Sequence, residues 1–187
     1  MDALLLRRKM MVESGIKLPD GYRRVEYVEL TSATRRIQLN FTSASSDLVF
    51  QIVAMDNGSA NNAYLLFCDT NPGKNIQVGS NKWKSGGQPD YVGNARVKSE
   101  LVLHKTTGGV WTLTDGITTS TKSGGGTPRN PSYLFGQFWT AGSSQFIGYV
   151  WSVKVYEDGV LIYDLVPCQR IEDDVYRFYD MVSKAIL

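Results

Sequence analysis

The chain has 187 residues, enough for one β-sandwich domain and too few for two such domains of ordinary size. Hydrophobic residues make up 42% of it and charged residues 20%, the ordinary balance of a soluble globular protein. The net charge of +2 is too small to indicate a nucleic-acid partner, and no stretch approaches the ~20 apolar residues of a membrane helix.

The first segment, residues 1–14, is predicted to form a short amphipathic helix that ends at Ser14-Gly15. Its apolar residues are Leu4, Leu5, Leu6, Met10 and Met11, and its basic residues are Arg7, Arg8 and Lys9. The charge follows the apolar run, the reverse of the order in a secretory signal peptide. We expect residues 1–15 to form an attachment arm, docked on its own domain or on a neighbouring subunit, and residues 16–187 to form the folded domain. A frayed tail is the alternative.

The rest of the chain is predicted to consist of short strands separated by turns. Residues 47–55 are almost continuously apolar, which predicts a central strand buried on both faces. Other strands are predicted at residues 21–30, 37–41, 63–68, 76–78, 96–104, 110–114, 117–121 and 133–135. Residues 123–131 are rich in glycine and proline and are predicted to form a flexible loop. Many short strands with regular turn signals indicate a β-sandwich.

The strongest local pattern is a hairpin over residues 147–170. Val153 and Val155 alternate with polar or amphipathic residues, and Asp158-Gly159 then predicts a tight turn, because both residues tolerate positive φ. Pro167 cannot donate a ladder hydrogen bond, so the second strand is expected to end there. We expect this hairpin to lie at the centre of an antiparallel sheet.

Three motifs carry a resemblance to a known family. They read Leu18-Pro-Asp-Gly-Tyr-Arg-Arg-Val-Glu-Tyr-Val-Glu29, then Gly148-Tyr-Val-Trp-Ser-Val-Lys-Val-Tyr with Asp164-Leu-Val-Pro-Cys-Gln-Arg170, and finally Phe178-Tyr-Asp-Met-Val182. Together they resemble the concanavalin A-like, or laminin-G-like, jelly-roll domains found in virion proteins of phages of gut anaerobes. The resemblance covers roughly residues 18–182.

This resemblance implies an antiparallel jelly-roll β-sandwich, the concanavalin A-like lectin and glucanase fold. It also implies a phage virion protein, of the head or the tail, made in the host cytoplasm and present in many copies or as a homo-oligomer. The apolar arm would then attach it to other virion proteins, and polysaccharide of the host surface or of mucus would be a second partner. A free-standing bacterial carbohydrate-binding module is the alternative.

An enzyme is not expected. Glycoside hydrolysis needs two positioned carboxylates, and the sequence lacks the Glu-x-Asp-x-x-Glu strand that hydrolases of this fold typically carry. Glu172, Asp173 and Asp174 are consecutive and fall in a predicted turn, so they cannot all share one strand face. His104 is the only histidine, and no nucleophile–base set is evident around it. A glycoside hydrolase is therefore the least favoured function.

Glycan binding is the ligand chemistry that the sequence favours. Trp83 and Tyr91 lie in a polar, glycine-rich stretch over residues 81–91, and Trp139 follows Phe138 just before another small-residue stretch. Flat aromatic rings beside amide and hydroxyl groups suit stacking on sugars. The alternative is that these aromatic residues cap the sandwich core.

No cofactor is expected, and calcium is the one metal considered. Asp56, Asn57, Asn61 and Asn62 offer oxygen ligands for Ca²⁺, although such segments commonly form simple turns. Cys68 and Cys168 are expected to be two free, buried thiols, because cysteine often acts as a small buried hydrophobe.

Overall fold

A computed structural model of the chain describes residues 15–31, 36–43, 45–59, 63–68, 75–85, 91–123, 131–135 and 145–187. These residues form strands and turns without a helix, and the named strands pair antiparallel in two sheets. The chain is therefore all-β, as predicted, and its two sheets are consistent with a β-sandwich. The predicted helical arm lies outside the described residues, and so do its candidate attachment residues Leu4, Leu5, Leu6, Arg7, Arg8, Met10 and Met11.

The strands that the structure describes are, in chain order, β1 (Tyr22–Arg24), β2 (Val28–Leu30), β3 (Ile37–Leu39), β4 (Leu48–Asp56), β5 (Ala63–Phe67), β6 (Asn75–Gly79), β7 (Lys82–Ser85), β8 (Tyr91–Val92), β9 (Ser99–Lys105), β10 (Trp111–Thr114), β11 (Thr119–Lys122), β12 (Ser132–Leu134), β13 (Gly148–Glu157), β14 (Val160–Arg170), β15 (Tyr176–Asp180) and β16 (Ala185–Ile186). The large sheet has the order β11-β10-β9-β4-β13-β14-β15-β16, with β2 paired to β13 and β1 paired to β14. The small sheet has the order β3-β12-β5-β6-β7-β8.

The core lies between the two sheets and draws alternate residues from each. Phe50 and Val153 enter it from the large sheet, and Leu65 and Ile76 enter it from the small sheet. All four are fully buried. Because side chains alternate between the two faces of a strand, this pattern leaves the other face of each sheet turned away from the core.

Strand β4 differs from its prediction in one respect. Its burial alternates along the chain, with Leu48, Phe50 and Ile52 buried and Gln51 exposed. It is central, as predicted, between β9 and β13, but it is buried on one face only. The apolar residues Val49 and Val53 are half-buried on the other face, which we call the outer face of the large sheet.

The predicted hairpin is confirmed as β13 and β14, two central strands of the large sheet. Asp158 and Gly159 form its turn with φ of 49° and 79°, the positive values that a two-residue hairpin turn requires. Asp158 also binds the start of β4, since its carboxylate accepts the Asp47 N–H at 2.8 Å. The turn is therefore held to the neighbouring strand as well as by its own conformation.

Away from this turn, β13 and β14 diverge, and residues 22–30 fill the fork between them. Strand β2 pairs with the start of β13, and β1 pairs with the end of β14. The side chain of Arg23 also donates to the Gln169 amide oxygen at 2.7 and 2.9 Å. The segment early in the sequence thus completes a sheet whose centre comes late in the sequence.

The expectation that β14 ends at Pro167 is wrong, because the strand continues to Arg170. Pro167 lies between the last residue paired with β13, Leu165, and the first residue paired with β1, Cys168. Its carbonyl accepts the Val25 N–H at 3.4 Å, so the position of its missing N–H also faces the fork. A missing donor is tolerated there because neither β13 nor β1 pairs with that residue.

A second, smaller core lies on the outer face of the large sheet. Val166, Cys168 and Tyr179 are buried there, with Ile16 and Leu18 packed against them. Cys68 is buried as well, and neither cysteine forms a disulfide. The prediction of two free, buried thiols is confirmed.

Two residues of the motifs that resemble the known family, Gly148 and Asp180, have structural roles. A Cβ on Gly148 would overlap the carbonyl oxygen of Met55 and come within 2.7 Å of the Phe146 ring. The Asp180 side chain is buried and accepts the Asp164 N–H at 3.0 Å. It also accepts the backbone N–H of Val182 and of Ser183, both at 3.1 Å, and so fixes the turn that follows β15.

Candidate ligand-binding site

The structure places Trp83 in the core rather than in an exposed loop. Ser80 and Asn81, with φ of 51° and 60°, form a tight turn that sends the chain back as β7. Trp83 is 0% exposed, and its ring centroid lies 5.9 Å from that of Phe146. An indole with no exposed face cannot stack on a sugar. The expectation that Trp83 contacts a glycan is therefore wrong, and packing in the sandwich is its role.

Tyr91 lies on the opposite face of the small sheet from Trp83. The two belong to neighbouring strands, where Trp83 pairs with Val92 and Lys84 pairs with Tyr91. Tyr91 is 40% exposed, and the Lys82 ammonium lies 5.9 Å from the centre of its ring. Trp139 lies outside the described residues. The structure thus separates Trp83 and Tyr91 instead of joining them in one site.

The side chains proposed for calcium have other partners. The Asp56 carboxylate is fully buried, lies 3.0 Å from the Arg96 guanidinium and accepts the Ser59 N–H at 3.0 Å. Asn57 donates its side-chain amide to the Tyr149 hydroxyl at 3.1 Å. Asn61 and Asn62 lie outside the described residues. Within the part of the chain that the structure describes, no group of three or more His, Cys, Asp or Glu residues could hold a metal ion.

The acidic residues of the turn after β14 form ion pairs with arginines. The hydrogen bond from Arg170 lowers the pKa of Asp173 to about 2. Asp174 pairs with Arg23 at 2.7 Å. A general acid needs a raised pKa, so the shift of Asp173 has the wrong direction for that role.

His104 binds the Asp47 carboxylate through Nε2 at 2.9 and 3.0 Å. Both side chains are partly exposed, on the outer face of the large sheet and at the start of β4. The contact joins two neighbouring strands, since His104 belongs to β9.

Three aromatic residues come together on the outer face of the large sheet, and we call them the outer-face cluster: Tyr27, Tyr149 and Trp151. The ring of Tyr27 meets that of Tyr149 edge-on at 5.0 Å and that of Trp151 at 5.6 Å, and Tyr149 and Trp151 are 6.3 Å apart. All three side chains are half-buried. The cluster presents a large apolar surface, and the Tyr149 hydroxyl supplies a polar edge, whereas the indole Nε1 of Trp151 is buried.

A β-bulge in β13 turns Trp151 toward this cluster. Val150 pairs with Ala54 and Ser152 with Val53, so Trp151 is an extra residue without an opposite partner on β4. Both Val150 and Val153 are buried, although they are three residues apart and a regular strand would place them on opposite faces. Bulges often re-aim a side chain beside a functional site.

Polar and charged groups border the cluster. The Lys98 ammonium lies 4.8 Å from the centre of the Trp151 ring. Asn57 binds the Tyr149 hydroxyl, and the exposed Glu29 is the residue opposite Tyr149 on β2. The arrangement offers ring faces, an amide, a carboxylate and an ammonium group within one small area of the outer face.

Tyr176 of β15 lies near Tyr27 and Glu29, on the face of β15 that also carries the core residue Phe178. Its side chain is 36% exposed, and burial raises its pKa, with the nearby Tyr27 and Glu29 acting in the same direction. A cavity of about 640 Å³ begins at these residues. Residues that line it include Glu29, Tyr176, Arg36, Arg177, Phe135 and Phe178. The cavity therefore reaches Glu29, the residue opposite Tyr149 of the outer-face cluster.

The sequence interpretation did not identify the outer-face cluster. Trp111 and Trp151 both lie in strands, but Trp111 is buried in the core and Trp151 is half-buried on the outer face. The spacing of Val150 and Val153 was the available signal, since two inward-facing residues three apart require a bulge.

No model of a known protein family matches the chain, and no curated protein matches it. The concanavalin A-like family therefore stays a prediction from the motifs. Among the residues that the structure describes, none form a helix long and apolar enough to cross a membrane.

Proposed function

We propose that this chain is a non-enzymatic carbohydrate-binding protein of a phage particle, built on a concanavalin A-like jelly roll. The observation that carries the binding function is the outer-face cluster of Tyr27, Tyr149 and Trp151. The phage context and the jelly-roll topology are supported by the motifs at residues 18–29, 148–170 and 178–182 alone.

The chemistry of the cluster suits a sugar. Pyranose rings present flat C–H faces that stack on aromatic rings, and their hydroxyl groups need donors and acceptors at the edge of the stack. Trp151 and Tyr149 supply half-buried rings, while Asn57 and Glu29 supply polar groups beside them. The adjoining cavity at Tyr176 gives room for a second sugar unit.

A shallow site of this kind binds weakly on its own. Display of many copies on one particle converts weak single contacts into strong overall attachment, because each further contact becomes intramolecular. The virion and glycan-binding functions therefore support each other. The apolar residues of the segment 1–14 would anchor the copies to other virion proteins.

A glycan array followed by affinity electrophoresis tests the binding function. Trp151→Ala is expected to remove at least about four-fifths of the affinity, on the order of the 1–3 kcal/mol that an aromatic stacking contact contributes. Tyr156→Ala is the matched control, since Tyr156 lies on the same strand and is also half-buried. Unchanged melting temperatures show that both variants fold. Absence of binding to any glycan, or equal binding by Trp151→Ala, would overturn the proposal.

Purified particles test the virion function separately. Mass spectrometry of particles banded in a density gradient is expected to detect the chain, and deletion of residues 1–14 is expected to remove it from particles while the domain stays folded. A folded protein found only in the free fraction would favour the free-standing carbohydrate-binding module instead.

A further inference from the structure

The outer-face cluster already holds a positive charge. The Lys98 ammonium lies 4.8 Å from the centre of the Trp151 ring, within the ~6 Å at which the negative face of an aromatic ring attracts a cation. Tyr27 and Tyr149 lie within 5.6 and 6.3 Å of the same indole. Two further electron-rich rings thus lie beside the indole that this ammonium contacts.

The charges nearby leave this region suited to a cation. The ion pairs formed within the described residues include neither Lys98 nor Glu29. Arg96, two residues before Lys98, is neutralised by the buried Asp56 at 3.0 Å. Glu29 is exposed and lies opposite Tyr149, so its negative charge faces the cluster without a fixed counter-ion among these residues.

We propose that the outer-face cluster recognises a glycan that carries a free, protonated amino group, and that this group takes the place of the Lys98 ammonium over Trp151. The inference rests on the proposed function, because it specifies which glycan the same cluster binds. Lys98 is exposed and has a long flexible stem, so it can withdraw into solvent when the ligand arrives. Glu29 then faces the bound amino group.

Neutral and acidic sugars are expected to bind these side chains less tightly than amino sugars do. An N-acetylated amino sugar has no charge to exchange for that of Lys98, so it must displace a cation from the rings without replacing it. A sugar carboxylate would meet the negative ring faces and Glu29 together. The amino group is the substituent for which the rings and Glu29 act in the same direction.

The test compares glucosamine oligosaccharides with N-acetylglucosamine oligosaccharides of the same length, titrated into the full chain and followed by calorimetry below neutral pH. We expect the amino oligosaccharide to bind about two- to five-fold tighter, the factor that one cation–π contact supplies. Glu29→Gln is expected to weaken binding of the amino form more than binding of the acetylated form, because only the amino form carries a charge that the carboxylate attracts.

Lys98→Ala is the second arm of the experiment. Removal of the internal competitor is expected to strengthen binding of the amino oligosaccharide about two- to five-fold. Lys154→Ala is the matched control, because it removes another lysine of the outer face that makes no contact with the cluster rings. If Lys98→Ala leaves binding of the amino oligosaccharide unchanged or weakens it, the proposal that the ligand amino group replaces the Lys98 ammonium is wrong.

The outcomes separate this inference from the proposed function. Equal binding of both oligosaccharides, still abolished by Trp151→Ala, would keep glycan binding and overturn the amino preference. Tighter binding of an acidic than of an amino oligosaccharide would likewise keep glycan binding and overturn the amino preference. Absence of binding across neutral, acidic and amino glycans would overturn both.

Discussion

The Arg96 guanidinium lies 3.0 Å from the Asp56 carboxylate, which is fully buried at the end of β4. This ion pair joins two chain segments that each contribute a polar residue to the border of the outer-face cluster. Asp56 precedes Asn57, which binds the Tyr149 hydroxyl, and Arg96 lies two residues before Lys98, which covers Trp151. Both polar neighbours of the cluster therefore depend on segments that this one contact joins.

Arg96→Ala is expected to destabilise the protein by about 1–3 kcal/mol, because it leaves a buried carboxylate without its cation. The remaining hydrogen bond from the Ser59 N–H offsets part of that cost. Urea unfolding measures the loss. Lys154→Ala removes an equal charge without a buried partner and is expected to change stability by less than about 0.5 kcal/mol. Equal stability of the two variants would contradict a structural role for the Arg96–Asp56 pair.

Gly148→Ala is expected to cost about 3 kcal/mol, because the added methyl group overlaps the backbone carbonyl of Met55 and presses on the Phe146 ring. Gly116→Ala is the comparison. Its backbone has φ of 85°, but no atom lies within 4 Å of the added methyl group, so only conformational strain of about 1–2 kcal/mol is expected. Thermal unfolding of both variants checks the order, and an equal loss would show that close packing at Gly148 is unimportant.

The pattern of side chains predicted most of the strands and the central hairpin. Asp158-Gly159 marks its turn unambiguously, because few other residues adopt positive φ. Alternation predicted strands such as β9 and β10, where one face is buried and the other is open. These features depend on residues that are neighbours in the sequence, so they can be predicted from the sequence alone.

The features that escaped prediction depend on partners distant in the sequence. Strand β14 continues through Pro167 because its pairing with β13 ends just before this residue and its pairing with β1 begins just after it. No local sequence pattern indicates such a change of partner. Trp83 was assigned to a loop because residues 81–91 are polar and rich in glycine, yet Ser80-Asn81 turns the chain and Trp83 faces the core from β7. The candidate site was the least predictable feature, because Trp83 faces the core from the small sheet while Trp151 lies on the outer face of the large sheet.

The stability contributed by Asp180 is expected to depend on pH. Burial acts to raise its pKa, but the hydrogen bonds from Ser183, Asp164 and Val182 together outweigh burial and lower the pKa below its ordinary value. A carboxyl group whose pKa is lower in the folded state stabilises above its unfolded pKa of about 4, and that stabilisation is lost as pH falls through the folded pKa.

Asp180→Asn is therefore expected to lower the melting temperature most at neutral pH, with the difference from wild type shrinking as pH falls below about 4. The exposed Asp20→Asn is the control and is expected to show no such trend. A difference for Asp180→Asn that stays constant from pH 7 to pH 3 would contradict a role for the ionised carboxylate.

Both cysteines are expected to resist alkylation in the folded protein. Burial raises the pKa of the Cys168 thiol to about 11, although the nearby Arg177 acts in the opposite direction. Little reactive thiolate is present at neutral pH as a result. Leu18→Ala is expected to speed alkylation of Cys168 selectively, since Leu18 packs on the small core that covers it. Cys68, buried in the other core, is the internal control.

Peptide mass spectrometry after timed treatment with iodoacetamide measures both rates in the same molecule. Alkylation of Cys168 in the wild type at the rate of a free thiol would refute its burial under residues 16–18. Equal acceleration at Cys68 and Cys168 in Leu18→Ala would indicate global unfolding rather than local opening of the small core.

The fork between β13 and β14 also fixes when the large sheet can form during synthesis. Arg23 binds Gln169 across 146 positions of sequence, and β4 has β13 as its neighbour. A nascent chain that has not reached residue 148 therefore lacks both central strands, and its early segments have no fork to fill. The large sheet can therefore be completed only after translation has passed residue 170. Contacts between residues so far apart in the sequence also slow folding. Until then, the edge of the apolar strand β4 that β13 later covers is open to pairing with other chains.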